Sequence, residues 1–191
     1  MKSVKEKIVY TYEINKSKFI SIICYINNSD EVNGILDEVK KEYKDATHYC
    51  YAYILDNTKK CSDDKEPSGT AGKPILDVLE KKDLVNILCI VVRYFGGIKL
   101  GAGGLLRAYS KAVSDNLDIN KDKIGSIVNG YYVTVEISYN DINSFEYKYK
   151  SIIEKEFNET IKYKIFIEEQ ELEELESKYK IISKEKTLFI K

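Results

Sequence analysis

Residues 63–111, DDKEPSGTAGKPILDVLEKKDLVNILCIVVRYFGGIKLGAGGLLRAYSK, contain most of the residues that the rest of the chain uses sparingly. Seven of the ten glycines, both prolines and both arginines, Arg93 and Arg107, lie within this stretch. Glycine allows backbone conformations that are closed to other residues, and proline fixes the backbone angle φ. The density of these residues therefore predicts a backbone shaped for binding rather than for catalysis.

Positive charge in the second half of this stretch is not balanced by acids. Residues 84–114 contain no Asp or Glu, although Arg93, Lys99, Arg107 and Lys111 all occur there. The remaining basic residues of the chain are all lysines, so two guanidinium groups in one segment indicate a need for planar, bidentate donors to phosphate or carboxylate. The alternative is chance placement in a lysine-rich composition.

A strand, a glycine loop and a helix are predicted in succession within this stretch. The apolar, β-branched run at residues 86–93 predicts a strand buried on both faces, and residues 102–117 carry apolar side chains at helical spacing. Unpaired N–H groups at the start of such a helix attract anions. Lys99, Arg107 and Lys111 would add positive charge beside a loop that contains Gly96, Gly97, Gly101, Gly103 and Gly104. The loop matches neither GxxxxGK[ST] nor GxGxxG.

Length and composition limit the class of protein. With 191 residues, of which 43% are hydrophobic and 32% charged, the chain can form one compact unit or two small domains. A net charge of −1 means that nucleic acid could bind only at a local patch. No apolar run approaches the roughly 18 residues of a membrane helix, and the cysteines lack paired ligand spacing. We therefore expect a cytoplasmic protein without a membrane partner, disulfides, zinc or another cofactor.

The residues before the glycine-rich stretch predict a sheet and one helix. Residues 7–14 and 18–26 are β-branched or aromatic, and the dipeptide Asn15-Lys16 between them predicts a hairpin. Helical spacing of apolar side chains at residues 32–43 predicts an amphipathic helix capped by Asn28 or Ser29. The remaining predicted elements are a strand at residues 47–55, a polar loop at residues 56–65 and a helix from Pro74 to about residue 82.

The strand at residues 47–55 carries aromatic residues and the only histidine of the chain. Tyr49, Tyr51 and Tyr53 alternate onto one face, where they would form either an aromatic layer under a helix or a platform for base stacking. His48 faces the other way and could act as a base, as a phosphate donor or as a structural side chain. A single histidine excludes any metal site that needs several.

The segment DDKEPSGTAGKP allows three interpretations. Backbone N–H groups and hydroxyls could form a second anion-binding nest from Ser68, Gly69, Thr70 and Gly72. The carboxylates of Asp63, Asp64 and Glu66 could instead bind a divalent cation. A nucleophilic Ser68 or Thr70, with His48 and Asp64, requires a convergence that the sequence does not provide.

A second domain is predicted after residue 124. Beyond the glycines at positions 125 and 130, the residue pattern gives the order β-α-β-β-α-β, which is that of a ferredoxin-like domain. We therefore predict an α+β protein with domains at residues 1–124 and 125–191. The glutamate-rich helix EEQELEELESK is interpreted as a solvated face with a few inward leucines.

The motifs DDKEPSGTAGKPIL and VVRYFGGIKLGAGGLLRAYSKAV, with HYCYAY upstream, resemble the IMPACT family in its bacterial YigZ-type form. The resemblance implies an amino-terminal domain with the fold of a ribosomal-protein RNA-binding domain, and a carboxyl-terminal domain like the last domain of the translocating elongation factor. The family pattern has glycine where this chain has Lys65, so we expect no tight backbone requirement at that position. The family pocket would comprise His48, Asp64, Glu66, Pro67, Ser68, Gly69, Thr70, Ala71, Gly72, Arg93, Gly96, Gly97, Lys99, Gly101, Gly103, Gly104, Arg107 and Tyr109.

Three functions are compatible with this sequence. The first is a translation-associated regulatory protein without catalytic activity, which would grip RNA or a ribosomal surface through Arg93, Lys99, Arg107, Lys111 and the glycine loop. The second is a Mg²⁺-dependent enzyme or sensor for a small phosphorylated ligand, and the third is a protein-interaction module. We favour the first and assign no catalytic residue. The oligomeric state and the physiological ligand are not predicted.

Overall fold

An antiparallel sheet of five strands forms the centre of the amino-terminal part of the computed structural model, which describes residues 1–191. The elements in chain order are β1 (Lys2–Val4), β2 (Ile8–Ile14), β3 (Ser17–Tyr25), α1 (Glu31–Glu42), β4 (His48–Leu55), β5 (Thr58–Ser62), α2 (Gly72–Lys81), β6 (Ile87–Tyr94) and α3 (Gly101–Ile119). The strand order in the sheet is β2-β3-β6-β4-β5. Helix α1 covers one face, and α2 and α3 cover the other.

The hairpin of β2 and β3 forms around the predicted dipeptide. Asn15 and Lys16 have φ of 47° and 61°, both in the left-handed region, and the flanking residues Ile14 and Ser17 pair directly. A two-residue turn with positive φ at both positions matches the right-handed twist of the strands that it joins. This prediction is confirmed.

Strand β6 lies in the middle of the sheet, between β3 and β4. Cys89 and Val91 pack toward α2 and α3, whereas Leu88, Ile90 and Val92 pack toward α1. A strand covered on both faces needs apolar side chains at every position, which explains the continuous run in the sequence. The prediction of a strand buried on both faces is confirmed.

Strand β4 alternates between the two cores, as its sequence pattern predicts. Tyr49, Tyr51 and Tyr53 pack into the layer beneath α1, and the hydroxyl of Tyr49 donates to the carbonyl of Tyr43 at 2.6 Å. The aromatic-layer interpretation is therefore confirmed, and the alternative of an exposed stacking platform on this strand is wrong. Cys50 and Ala52 point into the opposite core.

Three local predictions differ from the structure. The loop predicted at residues 56–65 contains β5, an edge strand whose polar side chains remain in solvent and therefore give no apolar alternation. Pro74 is the third residue of α2 rather than the first, because the helix begins at Gly72. Neither Asn28 nor Ser29 caps α1 with its side chain. The amide oxygen of Asn28 instead accepts from the N–H of Asp30, which directly precedes the helix.

A second unit follows, with the elements β7 (Ile124–Ile137), α4 (Ile142–Lys148), β8 (Ile152–Phe157), β9 (Ile161–Glu168), α5 (Leu172–Lys178) and β10 (Lys180–Ile190). The strands take the order β10-β7-β9-β8, and the βαββαβ prediction is confirmed. One core contains Val135, Phe145, Tyr163 and Leu175. Strand β7 begins earlier than predicted because its first residues pair with β1.

The chain divides into two compact units, Met1–Ser126 and Ile127–Lys191. The division falls inside β7, and the assignment of residues 1–124 and 125–191 as functional domains stays a prediction. The α+β fold class is confirmed. None of the helices is both long enough and apolar enough to cross a bilayer.

Candidate functional site

A buried carboxylate connects three elements of the amino-terminal unit. Oε1 of Glu66, in the loop between β5 and α2, accepts from Nη1 of Arg93 on β6 at 2.6 Å. The same oxygen accepts from the hydroxyl of Tyr109 on α3 at 2.9 Å, and Nε2 of His48 on β4 lies 3.8 Å away. We call these four residues the Glu66 cluster. Because Glu66 and Arg93 are almost fully buried, the cluster is an internal ion pair with added hydrogen bonds.

The expectation that Arg93 contacts phosphate in a solvent-facing pocket does not fit this placement. Arg93 has the same strand parity as Cys89 and Val91, so it points into the core under α2 and α3 and is only 5% exposed. Its guanidinium carbon lies 5.3 Å from the ring centroid of Phe19 and 5.5 Å from that of Phe95. Arg93 is therefore paired internally and does not share one open pocket with Arg107.

The predicted second anion nest is filled by a side chain of the protein itself. Oδ2 of Asp63 accepts from the N–H of Gly69 at 2.8 Å, and Oδ1 accepts from the N–H groups of Ala71 at 3.0 Å and Gly72 at 2.8 Å. Burial alone would raise the pKa of Asp63, but the three N–H donors outweigh it and lower the pKa below the usual value. The carboxylate takes the place that an external anion would occupy at the start of α2.

Neither a metal site nor a nucleophilic triad assembles in this loop. Nδ1 of His48 donates to the carbonyl of Asp64 at 2.7 Å, and Oδ2 of Asp64 accepts from the backbone of Tyr49 at 2.7 Å. The Thr70 hydroxyl donates to the carbonyl of Pro67 at 2.6 Å. No group of three or more His, Cys, Asp or Glu side chains is arranged to hold a metal ion. His48, Asp64 and Thr70 are thus engaged in holding the loop.

Cys50 and Tyr109 extend the hydrogen bonds of the Glu66 cluster. The Cys50 thiol donates to the carbonyl of Asp63 at 3.0 Å and lies 3.3 Å from the Tyr109 hydroxyl. Burial raises the pKa of Cys50 to about 12 and raises the pKa of Tyr109 well above its usual range. Both groups are therefore protonated at neutral pH, and Cys50 is a poor nucleophile.

The glycine loop after β6 is anchored to the β2–β3 hairpin and to the start of β4. The N–H of Phe95 donates to Oγ1 of Thr47 at 3.0 Å, and the N–H of Gly96 donates to Oγ of Ser17 at 3.2 Å. A Cβ atom at Gly96 would lie 2.0 Å from the carbonyl carbon of Lys16, so only glycine fits there. The loop therefore has a fixed base, while its tip remains exposed.

Two of the predicted cations remain exposed beside this loop without an ion pair. Lys99 and Arg107 form no ion pair, and Nη1 of Arg107 lies 3.5 Å from the position that a Cβ on Gly103 would take, beside the first turn of α3. Lys111, by contrast, pairs with Asp115 at 2.9 Å. We call residues 95–104 together with Arg107 the glycine-loop surface. A groove of about 820 Å³ between α2 and α3 adjoins it and is lined by Lys81, Lys82, Leu106, Arg107 and Lys111 among others.

Comparison with known proteins assigns the family. A family model described as the Impact N-terminal domain matches residues 15–117. The IMPACT family member YvyE of Bacillus subtilis is 37% identical over 177 residues, which are 88% of this chain and 80% of the relative. The chain belongs to the IMPACT family. The resemblance seen in the sequence motifs is thereby confirmed.

Other IMPACT family members match over shorter ranges. YigZ of Escherichia coli is 40% identical over 110 residues, which cover 55% of this chain and 54% of the relative. A member from Haemophilus influenzae is 38% identical and covers 63% and 61% of the two chains. The matches to these two proteins therefore span little more than half of each.

One solved structure, described as that of a hypothetical protein, matches with a TM-score of 0.64 and 27% identity over 93% of this chain and 89% of that one. The two-domain translational regulator Yih1 matches with a TM-score of 0.35 and 18% identity, which is too low to carry an argument. This IMPACT family member thus shares its fold with the first structure over most of the chain.

Lys65 lies at a position where the resemblance to the family implies glycine. Its φ is 69° and that of Asp64 is 39°, so both residues lie in or near the left-handed region. The expectation that this position has no tight backbone requirement is therefore wrong. A non-glycine residue in this conformation costs on the order of 1 kcal/mol, and the bonds that hold the loop on either side maintain it.

The sequence-predicted site residues of this IMPACT family chain fall into two groups. Glu66, Arg93 and Tyr109 are buried, and His48 and Asp64 are half-buried beside them. The glycine loop, Lys99 and Arg107 lie on the surface. The sequence predicts Asp63 as a ligand or base in a divalent-cation site and not as a helix cap, because its partners lie six to nine residues away and no local capping pattern marks it. Ser68 is exposed and makes no hydrogen bond through its side chain.

We expect replacement of Asp63 by asparagine to destabilise the protein by about 1–2 kcal/mol at pH 7, because the helix start loses its charged acceptor. The lowered pKa means that the carboxylate stabilises the fold above its unfolded pKa of about 3.9, and that this contribution is lost as the pH falls through the folded value. Urea unfolding at pH 7 and pH 3 measures the difference in the free energy of unfolding between the wild type and Asp63→Asn. This difference should be smaller at pH 3.

The exposed Asp37 of α1 provides the matched control. Asp37→Asn removes the same charge without removing a cap, so it should change stability little at either pH. Equal effects of the two substitutions at pH 7 would contradict the role assigned to Asp63.

Proposed function

We propose that this IMPACT family protein is a translation-associated regulatory protein without catalytic activity, and that it binds RNA or a ribosomal surface through the glycine-loop surface. The observation that carries the proposal is the pair of exposed cations, Lys99 and Arg107, without ion pairs in a segment free of acids. Cations of this kind are available to phosphate oxygens. The link to translation rests on the family resemblance.

The internal bonding of the Glu66 cluster supports binding over catalysis. Glu66 is paired with Arg93, His48 donates to a backbone carbonyl, and Cys50 is held as a thiol by burial. A Mg²⁺-dependent reaction on a small phosphorylated ligand would need Asp63, Asp64 or Glu66 as free ligands or as a base, and each already has protein donors. No feature of the site favours that alternative.

The proposal is tested by replacing Lys99 and Arg107 together with alanine. If each side chain contacts one phosphate, binding of a labelled single-stranded RNA should weaken by roughly tenfold or more, because charge-assisted bonds contribute about 1.5–3 kcal/mol. The slope of log affinity against log salt should also become less steep by about 1.4. Fluorescence anisotropy over a salt series measures the affinity and the salt slope. Cosedimentation with ribosomes tests whether the protein binds a ribosomal surface.

Lys40 and Lys60 supply the control, since both are exposed, lack ion pairs and lie on α1 and β5. Their double replacement by alanine changes the net charge equally and should leave the affinity and the salt slope nearly unchanged. If RNA and ribosome retention are the same in both double variants and in the wild type, the glycine-loop surface is not the binding site.

A further inference from the structure

Phe95 is the one exposed aromatic side chain of the amino-terminal unit, with 46% of its surface accessible. All other Phe and Tyr residues of this unit are buried or half-buried in the cores or against the sheet. Ile98 of the same loop is also exposed, so this loop carries two large apolar side chains that the fold leaves in solvent. Phe95 lies at the end of β6, where the glycine loop begins.

The backbone beneath Phe95 is held in place on both sides. Its own N–H donates to Thr47 and the next N–H donates to Ser17, both across the sheet. Gly96 packs directly against the backbone of Lys16. A side chain on such an anchored backbone loses little conformational freedom when a partner covers it, which favours binding.

One face of the Phe95 ring is covered by a cation. The guanidinium of Arg93 lies over this ring at 5.5 Å from the centroid and is itself fixed by its ion pair with Glu66. A cation over an aromatic face attracts the ring and holds its orientation. With that side occupied, the exposed surface of Phe95 belongs to the opposite face and the ring edge.

We propose that the outward face of Phe95 is a stacking site for an unpaired nucleobase of a single-stranded RNA. This inference rests on the proposed function and adds the contact that would distinguish single-stranded from duplex RNA. Proteins that bind single strands combine cations along the backbone with aromatic rings on which bases stack. Here Lys99 and Arg107 would contact the phosphates, and the Phe95 ring would stack on a base.

The test compares Phe95→Ala and Phe95→Trp with the wild type. The probes are a labelled oligoadenylate of about 12 nucleotides, a length within the range of single-strand sites, and inorganic polyphosphate, which carries charge but no bases. Phe95→Ala should weaken oligoadenylate binding by roughly 5- to 100-fold. It should leave the salt slope and the polyphosphate affinity unchanged, because no charge is removed.

The tryptophan variant should retain the affinity, and it adds a direct readout because the chain contains no other tryptophan. Its fluorescence should be quenched by oligoadenylate and not by polyphosphate. A cooperative thermal unfolding transition in both variants would confirm that they are folded.

If the wild type binds oligoadenylate and Phe95→Ala binds it equally well, the stacking site is refuted while the proposed function stands. If the wild type binds neither RNA nor ribosomes, both fail together. A ribosomal protein that is retained without RNA and lost in Phe95→Ala would also refute base stacking, and would identify Phe95 as part of a protein contact.

Discussion

Replacement of Glu66 by glutamine is expected to destabilise the protein by about 3–5 kcal/mol, because the buried guanidinium of Arg93 loses its only charged partner. Glutamine preserves the shape of the side chain, so the effect isolates the charge. A loss of this size should lower the midpoint of thermal unfolding by roughly 6–20 °C. Differential scanning calorimetry or circular dichroism of the full chain measures it.

The double variant Glu66→Gln/Arg93→Met separates charge from packing. Since both charges are removed and the volume is largely kept, it should be more stable than Glu66→Gln alone. The exposed pair of Lys73 and Asp77 provides the surface control, and Asp77→Asn should have little effect. A double variant that is less stable than either single variant would show that the Glu66 cluster is not held by its ion pair.

Gly96→Ala is expected to cost about 3 kcal/mol, because the added methyl group would lie 2.0 Å from one atom and 2.1 Å from another of the Lys16 backbone. The backbone of a tight two-residue hairpin turn cannot move aside as the end of a long side chain can. The base of the glycine loop and the β2–β3 hairpin must therefore separate. Chemical denaturation measures the loss.

Gly103→Ala is the matched control, and we expect it to change the stability of the protein in the opposite direction. Gly103 is helical, and its added Cβ would meet only Nη1 of Arg107 at 3.5 Å, an ordinary contact. Alanine should therefore stabilise the protein by about 0.5–1 kcal/mol through its helix propensity. If both alanine substitutions destabilise equally, the difference in backbone space between the two glycines is not what determines stability.

The elements of this fold were predictable where the signal is local. The continuous apolar run of β6, the helical spacing in α1 and α3 and the turn dipeptide Asn15-Lys16 each specify an element through neighbouring residues. Strand β5 was missed because an edge strand with solvated side chains carries no apolar alternation. The order of elements in the second unit followed from the same local patterns.

The candidate site was less predictable because its bonds join distant residues. The alternation along β6 places Arg93 on the face of Cys89 and Val91, which was a signal for burial, but nothing local marks Glu66 or Tyr109 as its partners. The bonds from Asp63 to the start of α2 likewise cross a loop. A cationic residue in a glycine-rich sequence therefore could not be assigned to the surface or to the core by composition.

The shared oxygen of Glu66 has a practical consequence for chimeric proteins. A transplanted loop that lacks a carboxylate at position 66 would leave the Arg93 and Tyr109 donors on β6 and α3 without their shared acceptor. Such a hybrid would contain a buried guanidinium without a charged partner, so any loop exchanged at this site should keep glutamate at position 66.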